Sequence, residues 1–128
     1  MVKAKENFRT LLDQTDCYLE FHDLTDADHF QKELRQTDLL VNATSVGMDG
    51  ESLPISIDTS FPKELLVADI IYQPFETPFL ALARKQGIEA VNGLGMLLHQ
   101  AAGAFKLWTG KDMPTDAIWQ ELENIYNS

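Results

Sequence analysis

Asn42, Thr44, Ser45 and Gly47 follow directly on three apolar residues, Leu39, Leu40 and Val41, in the stretch DLLVNATSVGM at 38–48. An amide, two hydroxyls and a residue without a Cβ can hydrogen-bond a ribose, a phosphate or a carboxamide and let backbone come close to it. An ordinary strand-to-loop turn uses the same residue types, and the types alone leave both readings open. Two further stretches share the pattern. Tyr72 closes the apolar run LLVADIIY at 65–72, just before Pro74, and Asn92, Gly93 and Gly95 follow the short run at 88–91. Gln100 lies about a turn and a half of helix further on. A Tyr hydroxyl gives one oriented hydrogen bond from an apolar body. A Gln amide donates and accepts at once, which suits a carboxylate or hydroxyl on a small ligand.

These residues need elements to hold them. Runs of four to eight apolar residues bounded by turn formers are the pattern of strands buried on both faces of a parallel sheet. The residues at 39–42, 65–72 and 88–91 fit it. Residues 17–24, CYLEFHDL, alternate Tyr18, Glu20 and His22 against Leu19 and Phe21, which predicts a fourth strand. Between the strands, helical spacing predicts a first helix carrying Ala4, Phe8, Leu11 and Leu12. A second is expected to start on a Thr25/Asp28 capping box and to bury Ala27, Phe30 and Leu34. Residues 49–62 read as a loop. Thr77 and Pro78 read as the cap and first residue of a helix that buries Phe79, Leu80 and Ala83 and stops at Gly87.

The helix expected at 94–108 carries a broad core face (Leu94, Leu97, Leu98, Ala101, Phe105, Trp108) and a narrower stripe (Met96, Gln100, Gly103, Leu107), which predicts cover on two sides. Pro114 opens a last helix with Ile118, Leu122 and Ile125 inward. Strands alternating with helices predict a parallel α/β sheet with right-handed crossovers, whose strand ends converge on one edge. In such sheets the ligand crevice lies at the carboxyl edge. Asp69, inside an apolar strand, needs hydrogen-bond donors if buried, and reads as an acceptor rather than an acid or base.

Composition narrows the classes. The 128 residues suffice for one domain with a core, and a formal charge of −10 argues against nucleic acid or an anionic membrane as partner. Cys17 is alone, so thiols build neither an intrachain disulfide nor a metal cluster, and His22 and His29 read as too isolated to be ligands. No apolar run has signal-peptide or bilayer-spanning character, so a cytoplasmic protein is expected.

The runs NATSVGM, VADIIYQPFETPFLALARKQG and NGLGMLLHQAAGAFKLWTG occur in this order and spacing in the shikimate/quinate dehydrogenase family, which the chain resembles from residue 17 onward. The resemblance implies the C-terminal, nucleotide-binding half of an enzyme that reduces 3-dehydroshikimate reversibly to shikimate with NADPH, in aromatic amino acid biosynthesis. It implies NADP as cofactor, bordered by Asn42, Ala43, Thr44, Ser45, Ile70, Gly93 and Met96. Asn42 would shape the turn, Ile70 and Gly93 would meet the nicotinamide end, and Met96 would pack beside it. Tyr72 and Gln100 would reach the bound hydroxy acid. No catalytic residue and no metal ligand is assigned. The family's catalytic Lys and Asp belong to an N-terminal substrate domain that has no counterpart in this sequence. Also missing are a G-x-G-x-x-G phosphate turn and the basic residues that read an NADP 2′-phosphate.

The expected fold is therefore α/β: a partial Rossmann-like parallel sheet flanked by helices, without the first two strands of the usual dinucleotide fold. Residues 1–110 would form a partial NADP-binding domain and 111–128 a C-terminal helix. In the strand order 3-2-1-4-5-6, the absent pair separates the strands expected at 17–24 and 39–42 and would leave both with open edges. Either those two pair directly, or a homodimer or partner chain fills the gap. As an isolated chain the protein is expected to be inactive. The alternative is a non-catalytic, oligomerising or partner-binding remnant of the fold.

Overall fold

Three short apolar runs become the parallel sheet. In the computed structural model, which describes Phe8 and residues 14–126, they are β1 (Leu39–Asn42), β2 (Leu66–Asp69) and β3 (Glu89–Val91). The sheet order is β1-β2-β3, with Leu39 opposite Leu66 and Leu66 opposite Glu89, so all three carboxyl ends share one edge. Around them stand four helices: α1 (Ala27–Leu34), α2 (Pro78–Lys85), α3 (Leu94–Thr109) and α4 (Thr115–Tyr126). The expected helix face of Ala4, Leu11 and Leu12 lies outside the described residues. The chain divides into two units, Met1–Gln36 and Thr37–Ser128.

In the first unit the strand expected at 17–24 does not form; these residues are irregular up to a turn at Leu24 and Thr25. An alternating pattern makes a strand only where another strand takes up its N–H and C=O groups, and among the described residues none does so. Helix α1 is capped one residue later than the sequence suggested. Asp26 accepts from the His29 N–H at 3.0 Å, because the Thr25 hydroxyl is engaged with Asp23 at 2.8 Å. Of the expected inward face, Leu34 is buried, Phe30 half-buried and Ala27 exposed. His22 and His29 are not isolated: Nδ1 of His22 lies 2.7 Å from Nε2 of His29, and its Nε2 lies 3.0 Å from Glu20. The Tyr18 hydroxyl donates to Glu20 and, with His22, holds its carboxyl below the ordinary range.

In the second unit the core gathers between the sheet and α2. Val67, Phe79, Leu80 and Ala83 are buried, with Leu65, Phe61 and Ile88 closing the ends and the Phe61 and Phe79 rings meeting edge-on at 6.5 Å. Thr77 caps α2, accepting from the Leu80 N–H at 3.3 Å, and Pro78 supplies its preset φ at the first position. Gln86 ends the helix and ties it to the preceding loop, accepting from the Phe61 N–H at 3.1 Å and donating to the Thr59 carbonyl at 2.9 Å. Gly87 then turns the chain with φ +76°.

Helix α3 runs to the expected stop at Gly110 (φ +71°), but its core face is narrower than its sequence suggested. Leu94 and Leu98 are buried, whereas Trp108 is 84% and Leu107 86% exposed. Its cover is α4, placed by a stack of Tyr126 on Phe75 at 4.8 Å. On α4, Ile118 and Leu122 are half-buried and Ile125 is exposed. No helix among the described residues is long and apolar enough to cross a membrane.

Candidate functional site

At the carboxyl edge of β1 and β2 the chain leaves a cleft of about 520 Å³, lined by Ala43, Thr44, Ser45, Met48, Ile70, Ile71, Tyr72 and Gln73. Its floor is organised by a buried polar network. Asn42, at the tip of β1, donates to the Val46 carbonyl at 3.0 Å and to Asp69 at 3.2 Å. Its side-chain oxygen accepts from the Thr44 hydroxyl at 2.7 Å and the Thr44 N–H at 3.2 Å. Asp69, at the tip of β2 and 2% exposed, accepts further from the Ile71 N–H at 3.0 Å and the Thr77 hydroxyl at 2.7 Å. One carboxylate thus ties together the loop after β1, the turn after β2 and the start of α2. Every lone pair it uses faces a donor, as burial of a charge demands. Asp69 is an acceptor, the role its place in an apolar strand implied.

The third strand tip acts from behind. A Cβ at Gly93 would stand 1.9 Å from the Ile70 carbonyl oxygen and 2.4 Å from its carbon, while the Gly93 N–H donates to the Ile71 carbonyl at 3.0 Å. Gly93 therefore buttresses the cleft wall that Ile70 and Ile71 form. Asn92 locks this turn by donating to the Phe75 carbonyl at 2.9 Å and accepting from the Leu94 N–H at 3.1 Å.

The expected site residues thus fall into groups. Ala43, Thr44, Ser45, Ile70 and Tyr72 come together in the cleft lining. Asn42 is buried and spends its polar atoms on the turn and on Asp69, and Gly93 contacts protein backbone. Met96 and Gln100, four residues apart and so on one side of α3, are exposed and lie outside the lining. Met48, Ile71 and Gln73 were not singled out from the sequence. Met48 and Gln73 carried the usable signal, Met48 as the last residue of the run 38–48 and Gln73 as the residue next beyond the run 65–72.

The lining carries no carboxylate, imidazole, ammonium or guanidinium. The nearest titrating loop group in sequence is Asp49, whose carboxyl is held down to about 2 by the Ser52 hydroxyl and by the N–H groups of Ser52 and Glu51. No group of three metal-ligating side chains occurs among the described residues. The lining offers a phosphate hydroxyls but no cationic side chain, and its apolar wall with hydroxyls on one rim fits a flat, weakly polar ring system.

A parallel α/β sheet with its cleft at the carboxyl edge defines the class: a Rossmann-like fold. The pattern of the shikimate 5′-dehydrogenase C-terminal domain matches residues 93–123. The NADP(+) shikimate dehydrogenase of Streptococcus thermophilus is 94% identical over 128 residues, which are 100% of this chain and 45% of that protein. Shikimate 5-dehydrogenase of Listeria monocytogenes, solved with shikimate and NAD, superposes with a TM-score of 0.83 at 39% identity, over 94% of this chain and 43% of that one. The Thermus thermophilus enzyme, solved with NADP(H) and shikimate, gives 0.61 at 39% identity, over 67% and 33%. The chain belongs to the shikimate dehydrogenase family and corresponds to its C-terminal part, spanning less than half the length of these relatives.

Proposed function

We propose that this chain supplies the nicotinamide side of the cofactor crevice in an NADP-dependent shikimate dehydrogenase, an oxidoreductase that moves a hydride between NADP(H) and the 3-dehydroshikimate/shikimate pair in the cytoplasm. The observation that carries the reading is the cleft at the carboxyl edge of β1 and β2, where Ala43, Thr44, Ser45, Ile70 and Tyr72 converge. Ala43 and Ile70 give the apolar wall for the ring, and Thr44 and Ser45 give hydroxyls and N–H groups for the adjoining ribose and phosphate oxygens. Tyr72 offers its hydroxyl to the hydroxy acid. Asn42 acts one step back, holding Thr44 in place, and Gly93 acts by setting Ile70. Met96 and Gln100 join the site from α3 once the rest of the fold is present.

Oxidising an alcohol by hydride loss also needs a group to take the hydroxyl proton. Apart from the Tyr72 phenol the lining holds no titratable side chain, so that group comes from the portion of the enzyme this chain does not span. The test is a chimera in which this chain replaces the matching part of the Streptococcus thermophilus relative. NADP-dependent shikimate oxidation should be retained, and Ala43→Trp, which fills the cleft, should lower kcat/KM about tenfold or more through KM for NADP. The 128-residue chain alone should show none. A folded chimera without NADP-dependent oxidation contradicts the proposal.

A further inference from the structure

Two of the chain's 3 histidines stand nitrogen to nitrogen in the first unit. Nδ1 of His22 lies 2.7 Å from Nε2 of His29, and the two ring centres are 4.3 Å apart. His29 is placed by the start of α1, where its N–H donates to Asp26 at 3.0 Å. His22 comes from the irregular segment before that helix and is placed by Glu20, whose carboxylate lies 3.0 Å from its Nε2. The other oxygen of Glu20 accepts from the Tyr18 hydroxyl, so the carboxylate is itself held. His22 is exposed and His29 half-buried, which leaves the pair open to an ion from solution.

A carboxylate only accepts hydrogen bonds, so the proton of a neutral His22 belongs on Nε2 and its Nδ1 turns a lone pair toward His29. A carboxylate behind one ring nitrogen, with the other left free to coordinate, is the arrangement that orients metal-ligating histidines and fixes their tautomer. Two nitrogens on one tetrahedral zinc stand about 3.4 Å apart, at bond lengths of about 2.0–2.1 Å. The pair therefore has to part by only roughly 0.7 Å, which a small turn of the exposed His22 side chain supplies. Between residues 20 and 33 the chain carries Glu20, Asp23, Asp26, Asp28 and Glu33 against Lys32 alone, a charge balance that draws cations to this segment.

We propose that His22 and His29 bind one divalent transition-metal ion of the zinc, nickel or copper class, through Nδ1 of His22 and Nε2 of His29. Among the described residues no third His, Cys, Asp or Glu completes the set, so water fills the remaining positions. Imidazole suits these ions, whereas magnesium and calcium take oxygen ligands. The ion replaces the proton shared by the two rings. That proton leaves His29 Nε2 for water and Nδ1 of the same ring takes one up, so both rings stay neutral. Binding clips the irregular segment at 17–24 to α1. The site is independent of what the cleft holds.

The test titrates Zn²⁺ into the untagged 128-residue chain, with Mg²⁺ in excess, and follows the imidazole signals by NMR. One equivalent should shift His22 and His29 together while His99, exposed on α3, stays in place. In the metal-free chain the ring nitrogen shifts of His22 should report the Nε2–H tautomer. His22→Gln and His29→Gln should each weaken zinc binding at least about tenfold, and the double variant should bind no worse than the weaker single one, because the two share one ion. Glu20→Gln should reduce the Nε2–H tautomer and weaken zinc binding about tenfold. Circular dichroism checks that the variants are folded, and the joint shift in the unaltered chain tests the site even where one is not. No shift at one equivalent, movement of His99 along with the pair, losses that add in the double variant, or a folded Glu20→Gln variant with unchanged tautomer and affinity would each overturn the proposal.

Discussion

Gly93 shows how one residue type can be legible for a reason other than the one it serves. Its place after a strand suggests a backbone cleared for a flat ring, and the atoms that occupy the clearing are the Ile70 carbonyl, 1.9 Å and 2.4 Å from where a Cβ would stand. Those are backbone atoms and cannot swing aside as a side-chain end can. Gly93→Ala should therefore cost about 3 kcal/mol, read as a fall in the urea midpoint with an unchanged slope. Gly103, in the interior of α3 with nothing within 4 Å of its would-be Cβ, is the control. There Ala should be neutral or stabilising by about 0.5–1 kcal/mol. Equal destabilisation at both positions would refute the buttress. Asn42 carries a related lesson: an amide at a strand tip looks like a ligand contact, and its four hydrogen bonds all go to the turn and to Asp69.

At the scale of elements, sequence punctuation located most boundaries, because caps and stops are local chemistry. Thr77 and Pro78 start α2, Gly87 follows its end, and Gly110 ends α3, where the residue types placed them. What could not be read were matters of neighbours. The alternation at 17–24 carries no information on whether a partner strand exists, and the apolar stripes of α3 do not say which stretch is covered. Trp108 stands in water although its spacing matches Leu94 and Leu98, and so does Leu107 on the narrower stripe. The Asp69–Thr77 contact joins β2 to the start of α2. Thr77 is fully buried, caps α2 and donates to Asp69 at 2.7 Å. Thr77→Ala should cost about 1–3 kcal/mol, losing the cap and leaving a buried carboxylate one donor short. Thr77→Ser, which keeps the hydroxyl, should recover most of that in the same urea titration. Equal losses for Ala and Ser would assign the cost to the methyl group.

Over the whole molecule, the fold class and the edge that carries the cleft were readable because the run of apolar strands alternating with helices admits few arrangements. The contents of the cleft were readable only where strand ends point. Ala43, Thr44, Ser45, Ile70 and Tyr72 line it, while Met96 and Gln100 on α3 lie outside. The proposed seat of the nicotinamide ring is this wall. The direct measurement is a nuclear Overhauser experiment on the chimera with methyl-labelled Ile and Ala and bound NADP. The account predicts contacts from the nicotinamide protons to the methyl groups of Ile70 and Ala43. Saturated NADP that shows no contact to either methyl would contradict it.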